Sequence, residues 1–314
     1  MNTIDLAEIQ KANTRNAIFI TGAPRSGTSL LGNLISTLAR IEYQFEPSMV
    51  WMISGLLSMN MLSPEVAAPL LQLYLHEDLL LESASGRKAN LRPSDDSCVL
   101  NSMEWGELLS RWHGIANRAD TLAYIANKNL RLAIKLPSVI DTIPFYREAF
   151  PESQFIVITR DGRDVVRSIL KKGWFTDEGL KENYWPYKVI DGCKVPHFIE
   201  DAVAAKWITW NAVTRTCYLW RRDTEFALQI KGQMTGERLH LLSYEGLRRD
   251  PQQALSDIAS FLSTQTTDLT ETGLRSVRPF MERHGVRGEE NVFHDVDTDE
   301  LIKFRKTNAL LGYE

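Results

Sequence analysis

A glycine-rich segment near the amino terminus, residues 22–29 (GAPRSGTS), has the spacing of a phosphate-binding loop, G-x-x-x-x-G-K-[ST], but has Thr28 at the lysine position. In such loops backbone amides and the following helix N-terminus hold phosphate oxygens, while the lysine reaches the β- and γ-phosphates. A loop without the lysine therefore suits a nucleotide that lacks a γ-phosphate. Arg25, inside the loop, can bind an anion through two parallel hydrogen bonds. Taken alone, the segment is equally consistent with a simple glycine turn at a strand end.

A second group of basic residues follows the apolar stretch QFIVIT at residues 154–159. The next residues, 160–172 (RDGRDVVRSILKK), carry five basic side chains against two acidic ones. If QFIVIT is a buried parallel strand, this cluster lies at its carboxyl end, where open α/β folds bind ligands. Arg160 and Ser168 could then hold a second phosphate group. For Arg163, Lys171 and Lys172 individually, a solvated helix face is the better interpretation.

Strand and helix patterns alternate along the chain, which predicts an α/β fold with a parallel central sheet. The strand candidates are residues 17–21, 131–136, 154–159 and 239–243. The spacing of apolar residues predicts helices that begin at residue 28 and that cover residues 99–112, 140–149, 161–172, 200–222 and 251–262. Residues 48–130 are predicted to form a helical insertion. Residues 174–197 have no clear period and are predicted to form a long loop.

Composition and charge narrow the kind of protein. The 314 residues, 44% hydrophobic and 24% charged, exclude a disordered or fibrous chain. No convincing linker divides them, so we predict a single domain over residues 1–314. The 36 Lys and Arg against 40 Asp and Glu give a net charge of -4, which argues against a broad basic surface for nucleic acid. Any anionic ligand must therefore be held locally.

The cysteines and the amino-terminal residues bear on the compartment. Cys98, Cys193 and Cys217 are odd in number and widely spaced, so neither a disulfide framework nor a zinc knuckle is indicated. Residues 1–17 lack the apolar core of a signal peptide. The longest uncharged stretch, residues 47–64, is interrupted by polar residues. We therefore expect a soluble, cytoplasmic protein without a transmembrane segment.

The two phosphate-site candidates together resemble the sulfotransferase family, whose donor is 3'-phosphoadenosine 5'-phosphosulfate (PAPS). Residues 17–31, AIFITGAPRSGTSLL, are similar to the family's 5'-phosphosulfate loop, and residues 155–168, FIVITRDGRDVVRS, to its 3'-phosphate motif. The resemblance covers residues 17–262 and is weakest over 50–130. It implies a P-loop-type three-layer fold, with a central, mostly parallel sheet flanked by helices. It also implies that PAPS is the co-substrate and that no metal is required.

The resemblance assigns individual residues to the donor. The residues matching the 5'-phosphosulfate loop are Pro24, Arg25, Ser26, Gly27, Thr28 and Ser29. Arg160 and Ser168 match the 3'-phosphate motif. Lys135, shortly before a proline in AIKLPSV, matches a lysine found in tyrosylprotein and related bacterial sulfotransferases. The segment 241–262 resembles the family's Y-E-x-L…D-P stretch, which places Tyr244 near the nucleotide.

Glu46 is the predicted general base. Some members of the family use glutamate and others histidine, and Glu46 in IEYQFEPSMVW lies where the glutamate of the tyrosylprotein and heparan types follows the loop helix. It would take the acceptor proton, while Lys135 and Arg25 would stabilise charge on the transferring group. Glu42 is the competing acid, and His113 is a minor alternative base. Four other histidines are scattered without metal-ligand spacing: His197, His240, His284 and His294.

The acceptor and the oligomeric state are not predicted. Carbohydrates, lipids, small phenols and peptide tyrosines all remain open. Residues 49–62, with Trp51, could line an acceptor pocket, although a core helix is the better interpretation. Aromatic residues of the predicted loop could contact an acceptor or cap the core: Trp174, Phe175, Tyr184, Trp185 and Tyr187. The role of Arg305 and Lys306 in donor binding is left open.

Two other functions fit parts of the sequence. A P-loop kinase for a small molecule would share the loop, but Thr28 replaces the loop lysine and no compelling acidic magnesium motif is present. A non-catalytic nucleotide-binding module would also retain the loop, but Glu46 and Lys135 count against it. We therefore predict a PAPS-dependent sulfotransferase.

Overall fold

Five parallel strands form the central sheet, in a computed structural model that describes residues 6–182, 186–279 and 290–313. The described strands are β1 (Ile18–Gly22), β2 (Ile41–Phe45), β3 (Arg131–Lys135), β4 (Gln154–Thr159), β5 (Tyr187–Ile190), β6 (Cys193–Pro196) and β7 (Leu239–Ser243). The sheet has the order β2-β3-β1-β4-β7, and each pairing in it is parallel. Strands β5 and β6 form a separate antiparallel hairpin. The predicted α/β fold is confirmed.

Helices lie between the strands and around the sheet. In the first half of the chain they are α1 (Leu6–Thr14), α2 (Thr28–Ile35), α3 (Ser48–Ser58), α4 (Pro64–Tyr74), α5 (Glu82–Ala84), α6 (Trp105–Gly114), α7 (Arg118–Lys128) and α8 (Ile143–Ala149). In the second half they are α9 (Gly162–Leu170), α10 (Asp177–Glu182), α11 (Asp201–Thr209), α12 (Ala212–Gln233), α13 (Tyr244–Arg249), α14 (Pro251–Phe261), α15 (Asp268–Ser276) and α16 (Thr298–Leu310). Among the described residues, no helix is long and apolar enough to cross a membrane.

The sheet is buried on both faces, as an all-parallel sheet requires. Successive residues of β1 belong to different hydrophobic clusters, Phe19 to one and its neighbours Ile18 and Ile20 to another. The cluster around Phe19 includes side chains of α3, α4, α8 and α12, and the other includes side chains of α2 and α14. Side chains alternate between the faces of a strand, so the two clusters are the two sides of a three-layer architecture.

Strands β1 and β4 are neighbours in the middle of the sheet, but the chain leaves them in opposite directions. The strand after β1 is β2 at one edge, and the next sheet strand after β4 is β7 at the other edge. Ligands of open parallel sheets bind at the carboxyl ends of strands where such a reversal occurs. Residues 22–29 follow β1 and residues 160–172 follow β4. The fold therefore places both predicted phosphate sites at one crevice.

The prediction of one continuous helix over residues 200–222 is wrong. Helix α11 ends at Thr209 and α12 begins at Ala212, because Trp210 is extended and the Asn211 side chain caps α12 by accepting a hydrogen bond from the Thr214 amide, at 2.9 Å. Apolar periodicity continues across this break, so the pattern did not reveal it.

Two further predictions of local structure need correction. The segment 174–197, predicted as a loop, contains α10 and the β5–β6 hairpin. The segment 99–112, predicted as one helix, has a short 3₁₀ turn at Val99–Asn101 before α6 begins at Trp105. Strand β2 was not predicted. Between β2 and β3 the regular elements are helical, with a π-helix at Leu75–Leu81, while the single-domain organisation stays a prediction.

Candidate active site

The loop after β1 is shaped to present backbone amides. Gly27 precedes α2 with a φ of 98°, and Arg25 has a φ of 68°, so the chain passes twice through the left-handed region within three residues. The first amides of a helix have no intrahelical partner. Among the described residues, the amides of Gly27, Thr28 and Ser29 donate no hydrogen bond to another residue. These amides, with the positive end of the α2 dipole, form a site for an anion.

The side chain of Ser26 adds a second feature to this loop. It is fully buried, and its Oγ has no hydrogen-bond partner among the described residues. A buried hydroxyl without a partner is unfavourable by about 1–3 kcal/mol. A phosphate oxygen in the loop would supply the missing partner.

Tyr244 closes the loop from the end of β7. A Cβ added to Gly27 would lie well inside van der Waals contact of the Tyr244 ring, so only glycine allows this approach. The Arg160 guanidinium carbon lies 4.3 Å from the centroid of the same ring, close enough for a cation–π interaction. The Arg248 side chain donates a hydrogen bond to the Tyr244 hydroxyl at 3.2 Å. Tyr244 thus links the loop to the cationic group after β4.

Arg160 connects the two predicted phosphate sites. Its Nη1 donates to the Arg25 carbonyl at 3.1 Å, and its Nη2 donates to Asp164 at 2.8 Å. Its Nε is buried and has no partner among the described residues. The Arg25 Nε donates to Ser168 Oγ at 3.1 Å. Arg25, Arg160 and Ser168, separated by up to 143 positions in the chain, therefore lie at one place.

Lys135 and Glu46 form an ion pair at the ends of adjacent strands. Phe45 of β2 is in register with Lys135 of β3, and the Glu46 amide donates to the Lys135 carbonyl at 3.0 Å. The Lys135 Nζ donates to Glu46 Oε1 and lies 3.9 Å from the centroid of the Phe45 ring. The Lys135 side chain is 1% exposed and that of Glu46 is 43% exposed. Burial lowers the pKa of Lys135, while the negative charge of Glu46 opposes that shift.

Two cavities meet at Glu46. The first, here called the polar cavity, measures about 300 Å³ and is lined by residues 24–25 and 27–30 of the loop and by Asp96, Lys135, Arg160 and Tyr244. The second, here called the apolar cavity, measures about 390 Å³. Its apolar walls come from Trp51, Leu136, Phe175, Phe198 and Leu219. The residues that line both cavities are Pro24, Glu46, Pro137 and Trp174.

A larger cavity of about 550 Å³ lies beside strand β2. None of the residues predicted to bind the donor or to transfer the group lines it. The competing acid Glu42 lies there, buried, and accepts hydrogen bonds from Arg111 at 2.7 Å and from Ser83 at 2.7 Å. Glu42 is therefore held by structural partners, while Glu46 lies where the other two cavities join.

The remaining candidates differ in whether they line the polar or the apolar cavity. His113 is exposed on α6, and Arg305 and Lys306 are exposed on α16; none of the three lines the polar or the apolar cavity. On α3, Trp51 lines the apolar cavity while Val50 and Ile53 are core residues. Tyr184, Trp185 and His284 lie outside the described residues. In the part of the chain that is described, no group of three or more His, Cys, Asp or Glu side chains is arranged to hold a metal ion.

Several contacts around the predicted donor residues have no motif in the sequence. Asn308 of α16 accepts a hydrogen bond from the Gly162 amide at 2.9 Å, and Trp220 of α12 donates to the Arg160 carbonyl at 3.1 Å. These contacts fix the turn that presents Arg160. Lys172, predicted to lie on a solvated helix face, lines the apolar cavity. Ser138 also lines that cavity, and the sequence motifs did not identify it as a candidate site residue.

Comparison of the sequence with known proteins identifies the family of the chain. The sequence profile described as the sulfotransferase family matches residues 17–268, which is most of the chain. None of the curated protein sequences matches significantly.

Solved sulfotransferase structures resemble the chain at low identity. The sulfotransferase domain of the olefin synthase of Synechococcus is 15% identical, with 96% of each chain covered and a TM-score of 0.49. A sulfotransferase from Mycobacterium avium is 14% identical over 99% of this chain and 80% of that one, with a TM-score of 0.49. A mouse sulfotransferase in complex with PAP (3'-phosphoadenosine 5'-phosphate) is 12% identical over 98% of this chain and 88% of that one, with a TM-score of 0.41. On the strength of the sequence profile, the chain belongs to the sulfotransferase family and is a transferase.

Proposed function

We propose that this sulfotransferase moves a sulfuryl group from PAPS to a hydroxyl or amine of an acceptor, with Glu46 as the general base. The observation that carries the proposal is the position of Glu46, which lines both cavities and is paired with the buried Lys135. A group between a donor site and an acceptor site is within reach of both reacting atoms. The polar cavity is the proposed donor site and the apolar cavity the proposed acceptor site.

The polar cavity fits a donor with two separate anionic groups. The loop amides with the hydroxyls of Ser26, Thr28 and Ser29 would hold the 5'-phosphate. Arg160 and Ser168 would hold the 3'-phosphate, with Arg25 between the two sites. The buried Nε of Arg160 and the buried Oγ of Ser26 each have a hydrogen bond still to make among the described residues. Pro24 and Tyr244, which line the same cavity, would pack against the nucleotide.

When bound, PAPS supplies the sulfuryl group and a bisphosphate leaving group. In the proposed step, the acceptor oxygen forms a bond to sulfur as the bond from sulfur to the phosphate oxygen breaks. The Glu46 carboxylate takes the proton of the acceptor hydroxyl, a role that contributes about 10²–10⁴-fold in rate. Lys135 and Arg25 stabilise negative charge on the transferring group and on the leaving phosphate.

The cations of the chain take the place that magnesium has in kinases. Arg25, Lys135 and Arg160 lie at fixed positions around the polar cavity, so the developing charge is neutralised by side chains. We therefore propose that no metal is required. The small-molecule kinase stays the second candidate, because it shares the loop geometry.

The test is transfer of labelled sulfuryl from PAPS in the presence of EDTA, compared with transfer from γ-labelled ATP. We expect sulfuryl transfer that EDTA leaves unchanged, and no phosphoryl transfer. Phosphoryl transfer that EDTA abolishes would favour the kinase. Binding of PAP without any transfer to an acceptor panel would favour the non-catalytic nucleotide-binding module.

We also propose that the protein is cytoplasmic. Cys193 is an exposed free thiol, and Cys98 and Cys217 are free and buried. Exposed free thiols persist in reducing compartments. Cell fractionation tests the location: activity that co-purifies with an extracytoplasmic marker would contradict it.

A further inference from the structure

The walls of the apolar cavity favour a compact apolar ligand. Trp51, Phe175, Phe198 and Leu219 line it, and its volume of about 390 Å³ is within the range of small-molecule sites. Lys172 and Glu182 also line it, but both are exposed. Ser138, in contrast, is a polar residue of this cavity that is buried.

Ser138 is held in an uncommon backbone conformation. Its φ is 56°, in the left-handed region, and its amide donates to the Gly22 carbonyl at 3.0 Å. Left-handed serine is unfavourable by about 1–3 kcal/mol, and such residues cluster at functional sites. The bond to Gly22 fixes Ser138 relative to the loop of the donor site.

The Ser138 hydroxyl proton is committed to a buried carboxylate. Ser138 Oγ donates to Asp223 Oδ2 at 2.7 Å, and Asp223, on α12, is 0% exposed. Arg222 Nη1 donates to Asp223 Oδ1 at 3.1 Å, and Arg222 is itself fixed by Asp141 at 2.6 Å and Glu200 at 3.0 Å. An ionised carboxylate only accepts hydrogen bonds. Ser138 Oγ can therefore offer the apolar cavity only its lone pairs.

We propose that the acceptor is a small alcohol or phenol with an apolar body and a second hydrogen-bond donor, and that Ser138 Oγ accepts the hydrogen bond from that second donor. This inference rests on the proposed function. The reacting hydroxyl gives its proton to Glu46, the apolar walls bind the body, and Ser138 selects among bodies of similar size. Asp223 is a positioning residue, because it acts on the acceptor only through Ser138.

The test compares matched acceptors that differ in one donor. Each of the three dihydroxybenzenes is paired with its monomethyl ether, and kcat/KM is measured with labelled PAPS, corrected twofold for the two equivalent hydroxyls of the diols. We expect the wild-type protein to prefer at least one diol by about 3–10-fold, the value of one hydrogen bond. Ser138→Ala should abolish that preference. Ser48→Ala, which removes another hydroxyl of the same cavity, should leave it unchanged.

Asp223→Asn gives a readout that a purely structural role would not produce. The amide oxygen of the new side chain should face Arg222, which only donates, so its NH₂ group should face Ser138. Ser138 Oγ must then accept from the amide and turn its proton into the cavity. The methoxy oxygen of the ether can then accept a hydrogen bond from Ser138, which it cannot do in the wild-type protein. We expect the preference for the diol to shrink, with thermal unfolding confirming that the variant is folded.

The apolar walls are tested by Trp51→Ala, with the exposed Trp112→Ala as control. We expect KM for the diol to rise about tenfold in the first variant, from lost apolar contact, and to stay unchanged in the second.

Three results would overturn the proposal: no preference in the wild-type protein, a preference that survives Ser138→Ala, or transfer to sugars or tyrosine peptides with none to the phenols. Failure of the proposed function itself has a different signature. It appears as no calorimetric binding of PAP, before any acceptor is added.

Discussion

The polar and the apolar cavity meet at Glu46, yet different kinds of sequence build them. The polar cavity uses residues that lie within three positions of a strand end: Arg25 after β1, Glu46 after β2, Arg160 after β4 and Tyr244 after β7. The apolar cavity uses Trp51, Phe198 and Leu219, which come from distant segments and belong to no recognisable motif.

This difference follows from what each ligand requires. A charged donor needs amides, hydroxyls and guanidinium groups at fixed spacing, because each pairs with one phosphate oxygen. An apolar body needs only volume and shape, which many combinations of side chains provide. The donor site is therefore expected to depend on single residues, and the acceptor site on the sum of several contacts.

The largest expected effect belongs to Glu46, the carboxylate that lines both cavities. Glu46→Gln keeps the size of the side chain but removes the proton acceptor, so kcat should fall by about 10²–10⁴-fold. The Kd for PAP should stay close to the wild-type value, because the donor contacts are retained. Steady-state kinetics and calorimetry measure the two quantities.

The matched control for this variant is Glu42→Gln. Glu42 lies in β2, four residues before Glu46, and is buried against Arg111. Its folded fraction should keep nearly the wild-type kcat. A greater loss of kcat in Glu42→Gln than in Glu46→Gln would show that the base is misassigned.

Arg160 tests the polar cavity alone. Arg160→Ala removes the guanidinium whose buried Nε has no partner among the described residues, and a charged hydrogen bond contributes about 1.5–3 kcal/mol. We expect the Kd for PAP to rise about 10–100-fold, while the much weaker binding of AMP, which has no 3'-phosphate, changes little. Arg163→Ala is the control, since Arg163 pairs with Asp161 at 2.7 Å and lines neither cavity. Equal losses for PAP and AMP would remove Arg160 from the 3'-phosphate site.

Asp223, behind the apolar cavity, should make stability depend on pH. Burial raises its pKa from the ordinary 3.8 to about 6, against the attraction of Arg222. The folded protein therefore binds this proton more tightly than the unfolded chain, and the contribution to stability is lost as pH rises through about 4–6. The expected change in unfolding free energy is about 2 kcal/mol between pH 4.5 and 7.5. Denaturant unfolding measures it, and Asp223→Asn should lack it. Identical pH profiles for the two proteins would contradict this account of Asp223.

The smallest effect concerns the fit of the loop under Tyr244. In Gly27→Ala the new Cβ would meet the Tyr244 ring at a residue whose φ is 98°. The ring must shift, and the expected loss of donor affinity is about 1 kcal/mol, or roughly fivefold in Kd. Gly232→Ala, on α12 with no atom near the added Cβ, should leave Kd unchanged. An unaltered Kd in Gly27→Ala would mean that Tyr244 does not shape the donor site.

Much of the fold, and the grouping of the residues proposed to bind the donor, could be predicted from sequence, because both depend on local sequence. The strands at residues 18–22 and 154–159 are short apolar runs, and Arg25 and Arg160 follow them within three residues. Parallel strand ends meet at one edge of a sheet, so local sequence already implied that these residues would be close. Strand β2 was missed because IEYQF mixes apolar with polar and charged residues, and its Glu42 is buried against Arg111 and Ser83.

The proposed acceptor site could not be predicted because its contacts are long-range. Ser138 becomes informative only through Asp223, which is 85 positions away and fully buried. The break between α11 and α12, which separates Trp207 from Leu219, is set by the capping side chain of Asn211 and leaves the apolar period intact. Packing of this kind depends on tertiary structure, which no motif encodes.

The central claim is that the polar cavity binds a nucleotide through a 3'-phosphate as well as a 5'-phosphate. Calorimetric titration of the protein with PAP, ADP and ATP tests it most directly. We predict a Kd for PAP at least about tenfold lower than the Kd for ADP or ATP, since only PAP engages Arg160 and Ser168 through a 3'-phosphate. Equal binding of PAP and ADP, or tighter binding of ATP, would contradict the assignment of the donor.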